Sequence, residues 1–93
     1  MWKDATSYSR DELLGSRIPR SWELRLTPDT RITVVSEHIY HKGEWIVHCH
    51  PWFNETPLGM PVANFSAEQA QEKALSMVRA EVAKLSAALD AKK

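Results

Sequence analysis

Residues 21–50 read SWELRLTPDTRITVVSEHIYHKGEWIVHCH, and their periodicity decides the fold class. Ser21 to Thr27 alternates strictly, with Trp22, Leu24 and Leu26 on one side, which is the mark of a half-buried strand. Pro28-Asp29-Thr30 carries turn chemistry, because proline presets one backbone dihedral and an aspartate side chain can bond back to the main chain. Residues 31–41 are rich in β-branched side chains and predict a second strand. Lys42-Gly43 predicts a tight turn, and Glu44 to His50 a third strand. If each turn fixes its register, Leu26 opposes Ile32, Leu24 opposes Val34, Tyr40 opposes Trp45 and His38 opposes Val47. Paired residues share a face, so one face collects Trp22, Leu24, Leu26, Ile32, Val34, Tyr40, Trp45, Val47 and Cys49. Two independent turns agree on one apolar face, and this agreement supports an antiparallel β-meander.

Working outward, Ser66-Ala67-Glu68-Gln69 has the form of a capping box, and Phe65 before it fits a hydrophobic staple. Ala74, Leu75, Val78, Val82, Leu85 and Leu89 then recur at helical spacing, predicting a long helix over 66–90 that covers the apolar sheet face. The turns from Ala87 to Lys93 are expected to fray. Ser9-Arg10-Asp11-Glu12 is a second capping box, closed by Gly15, and predicts a short helix over 9–15. Residues 1–8 show no period and read as a flexible lead-in from which Trp2 and Tyr8 can dock onto the domain. Residues 51–65 contain Pro51, Pro57, Pro61, Gly59 and Asn54, and read as a loop. The expected fold is a single α+β domain over 1–93: a short N-terminal helix, a three-stranded antiparallel meander and a long C-terminal helix packed on one sheet face.

Composition narrows the function classes. The 93 residues suit one small domain, and 43% hydrophobic with 26% charged residues is the balance of a folded chain. Twelve basic and twelve acidic residues cancel, so the basic excess that drives phosphate binding is missing overall. A single cysteine excludes an internal disulfide. No signal peptide and no membrane-spanning apolar run is visible, so the expected location is the cytoplasm, with no membrane partner. No phosphate-cradling glycine loop, nucleophile elbow or paired-carboxylate motif occurs, and neither an enzyme nor a cofactor is expected.

The segment Val47-His48-Cys49-His50-Pro51-Trp52-Phe53 gathers the reactive side chains. Alternation splits it: Cys49 turns to the core, diagonal to His38, while His48 and His50 share the outer face. In the expected register Glu37 lies across from His48, so Glu37, His48 and His50 form a candidate divalent-metal set, against the plainer reading of an exposed polar pair. The outer face also carries an apolar streak of Val35, Ile39 and Ile46. With His48, His50, Trp52 and Phe53 it is the candidate surface for a protein partner, unless the N-terminal segment or the 51–65 loop covers it. Arg17, Arg20 and Arg25 near Trp22 are the nucleic-acid alternative. Oligomeric state is not encoded in any motif.

Two resemblances add expectations. The order short helix, three antiparallel strands, long helix is similar to that of double-stranded-RNA-binding domains, a family that grips phosphates with a lysine-rich start of its last helix. The matching stretch here, Ser66 to Lys73, carries Glu68, Glu72 and a single lysine, which departs from that function. The run from Trp22 through Phe53 followed by an alanine-rich helix also resembles small uncharacterised proteins encoded by phages and prophages. That resemblance implies a compact accessory protein that engages a host or phage protein by binding.

Overall fold

The computed structural model describes residues 2–6, 19–38 and 41–91. Among the described residues, five strands form one antiparallel sheet in sequential order: β1 (Lys3–Asp4), β2 (Ser21–Thr27), β3 (Thr30–Val35), β4 (Glu44–Cys49) and β5 (Phe53–Pro61). A single described helix, α1 (Ala67–Asp90), follows and packs on β3, β4 and β5. The α+β class, the antiparallel meander and the long C-terminal helix therefore stand. The expected helix over 9–15 lies outside the described residues.

Two strands correct the three-strand expectation. Lys3 and Asp4 pair with Glu23 and Trp22, so this part of the N-terminal lead-in is an edge strand. Thr6 secures it: its hydroxyl accepts from the Arg20 amide at 2.7 Å and from the Ser21 amide at 3.0 Å. Trp2 packs against the core, whereas Tyr8 lies outside the described residues. The second correction is β5, which occupies most of the expected 51–65 loop. Its prolines are tolerated because an edge strand needs no amide on its outer side. Its irregularity is absorbed by two bulges against β4, one between the Cys49–Phe53 and Val47–Thr56 pairs, the other between Ile46–Pro57 and Glu44–Pro61. Glu55 (φ 47°) and Gly59 (φ 71°) fall in those two gaps and take the left-handed backbone that re-aims the strand. The His50–Pro51 peptide that leads into β5 is cis.

Both hairpin registers also differ from the expected ones, yet the faces survive. Leu24 opposes Ile32 and Trp22 opposes Val34, two residues away from the expected partners. Val47 opposes Val34 rather than His38, a shift of four. β3 ends at Val35, and just beyond it Ser36 donates its amide (2.9 Å) and its hydroxyl (3.4 Å) to the Arg20 carbonyl. A wide connection then replaces the tight Lys42-Gly43 hairpin. Strand faces alternate with period two, so even shifts exchange partners without exchanging faces.

The core keeps the sheet residues expected except Leu26, which is exposed, and Tyr40, which lies outside the described residues. Ile32, Val34, Trp45, Val47 and Cys49 are buried under Ala70, Ala74 and Val78 of α1, with Leu58 and Met60 of β5 added. Alanines at the helix contact let the backbone approach the sheet closely. The helix start is fixed by its cap: Ser66 Oγ accepts from the Gln69 amide at 3.2 Å, and Gln69 Oε1 accepts from the Ser66 amide at 2.8 Å. The helix remains regular to Asp90, past the point where fraying was expected.

Three substitutions test these devices. Ser66→Ala should lower stability by about 1 kcal/mol, the usual worth of an N-cap, with Gln69→Ala giving a smaller loss. Gly59→Ala should also destabilise by about 1 kcal/mol. Nothing lies within 4 Å of an added Cβ at Gly59, so that loss would report backbone conformation and not crowding. Urea midpoints of the two series are the measurement, with Ala63→Ser as a surface control.

Candidate functional site

The outer sheet face is polar where it was expected to be an apolar streak. Val35 and Ile46 do face each other across β3 and β4, but Ile46 is only 1% exposed, which removes it from the accessible surface. Val35 is half-buried, and Ile39 lies outside the described residues. Trp52 and Phe53 are half-buried and pack against the core, so they close one end of it. His48 and His50 remain exposed, as their side of the strand requires.

The metal set is not brought together. Thr33, not Glu37, lies across from His48. Glu37 falls beyond the end of β3, where its Oε2 sits 3.6 Å from Arg20 Nε. Among the described residues no three His, Cys, Asp or Glu side chains gather in reach of one ion. His38 has likewise left the sheet: its Nε2 is 3.3 Å from Glu55 Oε1 and its ring centroid 5.3 Å from that of His41. The expected diagonal between His38 and Cys49 therefore does not form. Of the nucleic-acid alternative, Arg20 is engaged with Glu37, Arg25 lies 3.9 Å from Glu23, and Arg17 lies outside the described residues.

What the outer face does assemble is a concavity at the end of the β2–β3 hairpin. It encloses about 280 Å³ and is lined by Arg25, Arg31, Thr33, His48 and His50, with turn residues 27–30 at its rim. Arg25 and Arg31 are direct cross-strand partners, an arrangement of like charges that costs stability by itself. Glu23, whose side chain is only 11% exposed, stands 3.9 Å from one guanidinium and 3.8 Å from the other.

A second surface lies on the core side. α1 rests on β3 to β5 and leaves β2 uncovered, so Leu24 is half-buried and Leu26 is 43% exposed. The open groove between β2 and α1 holds about 670 Å³ and is walled by Leu24, Leu26, Leu75, Val78 and Val82. Beyond it α1 overhangs the sheet, exposing Val82 (46%), Leu85 (51%) and Leu89 (63%). Sequence periodicity identified these residues as core. A length comparison separates them: 24 helical residues span about 36 Å, while the seven residues of β2 span about 24 Å. The surplus must project.

Cys49 is buried at 0% exposure. Burial pushes its thiol above the ordinary value, because the thiolate would lose hydration with no charge partner to replace it. The folded state keeps the proton where the unfolded chain gives it up. The resulting stability is full below the unfolded thiol value and is lost as pH rises through the folded one. Cys49 should resist alkylation in the native protein and react at once in denaturant. Between about pH 8 and about pH 10 the urea midpoint should fall, and Cys49→Ala should flatten that fall. Comparison with protein-family models, with curated proteins and with solved structures finds no match for this chain.

Proposed function

We propose that the protein is a non-enzymatic binding module that works through protein–protein contact, with the groove between β2 and α1 and the overhanging end of α1 as its docking surface. The observation that carries this reading is the exposed series Val82, Leu85 and Leu89, which extends the face that buries Ala74 and Val78. With Leu75 and Val78 these residues follow a three–four spacing, the pattern of a helix that pairs with another helix. Apolar side chains exposed in such a row mark a contact surface. The accessory role implied by the phage resemblance is of this kind, since it requires binding and no catalysis.

The occupant that the residues favour is a second copy of this chain, in an antiparallel pair. Centring the pair on Val82 against Leu85 of the second copy lays Leu89 over Val78 of that copy, at the edge of its groove. Arg79 then faces Ala88, and Glu81 faces Ser86, so no like charges meet along the seam. A two-fold arrangement of this sort is self-closing, which suits a small protein of zero formal charge.

Sedimentation between about 1 µM and about 1 mM protein should show a monomer–dimer equilibrium. Leu85→Lys and Leu89→Lys should each shift it toward monomer by about 10-fold or more while the helical circular dichroism is retained. Ile46→Thr, being internal, should lower stability instead and leave the association constant of the folded fraction unchanged. A chain that stays monomeric over the whole range would overturn self-pairing. Capture of a different protein that is abolished by Leu85→Lys would assign the same surface to a hetero-partner.

A further inference from the structure

A separate surface carries an independent inference. We propose that the concavity at the end of the β2–β3 hairpin binds a small phosphate monoester, held by Arg25 and Arg31, with His48 and His50 as further donors at its wall.

Four observations converge on it. Pairing places Lys3 beside Glu23, Arg25 beside Arg31 and Thr33 beside His48, so all six share the outer face. Two guanidiniums therefore flank the Glu23 carboxylate, and Lys3, Arg25 and Arg31 against Glu23 and Asp29 leave one positive charge in excess on this face. The separations of 3.9 Å and 3.8 Å between Glu23 and the two guanidiniums exceed hydrogen-bond distance. Glu23 thus eases the repulsion between Arg25 and Arg31 without using their donors, and it holds both forks over the same cavity. A phosphate dianion answers what remains: it neutralises the excess and accepts paired N–H bonds from planar guanidiniums.

The donor inventory agrees. Arginine offers only donors, a threonine hydroxyl can donate, and an imidazole ring presents at least one N–H. The volume of about 280 Å³ lies at the small end of ligand cavities, room for a phosphate carrying a sugar-sized group. An extended nucleic acid needs a track of successive phosphate contacts instead. Here, among the described residues, Arg25 and Arg31 are the only lysine or arginine side chains that line the cavity, which makes a single cradle and not a track.

The test is a titration of the full-length protein at low ionic strength, followed on the His48 and His50 ring signals and the arginine Nε–H signals. The probes are inorganic phosphate, ribose 5-phosphate and a single-stranded oligonucleotide, with sodium chloride as the ionic control. Saturable shifts with ribose 5-phosphate, at about 1 mM or below and tighter than with inorganic phosphate, are expected. Arg31→Ala should weaken binding about 10-fold, and Arg31→Lys, which keeps the charge but loses the fork, by less. Glu23→Gln should tighten binding, because it removes the carboxylate that stands between the two guanidiniums and leaves only Asp29 at the rim. A purely structural role for the Arg25–Glu23–Arg31 cluster predicts no gain from that change. Should Arg31→Ala fail to fold, Arg31→Lys and Glu23→Gln decide the matter alone. The proposal falls if phosphate probes give no more than the chloride response, or if only the oligonucleotide binds.

Discussion

The structure turns on Trp45. It sits on β4, the central strand of the part of the sheet that α1 covers, and is 3% exposed. Its indole N–H donates to the Phe65 carbonyl at 3.1 Å, the residue just before the helix cap. A buried indole whose N–H found no acceptor would cost on the order of 1–3 kcal/mol, so this bond fixes where the helix begins relative to the sheet. The ring also meets Trp22 at 5.6 Å between centroids with planes tilted by 51°, within the range of favourable aromatic pairs. One side chain therefore ties β4 to β2 sideways and to α1 above. Where α1 starts, in turn, decides how much of it lies on the sheet and how much projects beyond.

The apolar faces were legible in the sequence because strand alternation is robust to the errors that turn reading makes. Both hairpins were misjudged in length, yet the shifts of two and four residues left Trp22, Leu24, Ile32, Val34, Trp45, Val47 and Cys49 on one side. β5 was hidden for the opposite reason. Pro57, Pro61 and Gly59 signal a loop to any reading of local propensity, and only the two bulges against β4 make them compatible with a strand. β1 was hidden by brevity: two residues cannot show a period, and its anchor is the Thr6 hydroxyl, a contact between residues far apart in sequence.

The candidate surfaces were legible only where they depend on side and not on partner. His48 and His50 were assigned outward and are outward. Glu37 was assigned opposite His48 by a register that the structure replaces with a Thr33–His48 pair, and with it went the metal set. The Arg25–Arg31 pair was beyond reach for the same reason, since the two become neighbours only when Leu24 moves from Val34 to Ile32. The apolar streak failed differently. Ile46 lies on the outer face as expected, but alternation reports a direction and not whether that direction meets solvent.

The sheet thus divides its two faces by chemistry. On one, the covering helix is offset toward β3–β5, which leaves β2 with unfilled apolar surface and carries the surplus turns of α1 past the edge. On the other, the same β2 presents Glu23 and Arg25 beside Lys3, Arg31 and Thr33. Strand alternation makes these assignments inseparable: a slip by one residue would turn Arg25 into the apolar groove beside α1 and Leu24 toward the histidines. The bulge between Arg25 and Thr27 ends the alternation just after both surfaces have been built, so the hairpin tip forms the rim of the polar cavity without extending the apolar groove. Two surfaces of opposite character back to back on one strand are therefore a consequence of a single register, and any variant that moved that register would lose both together.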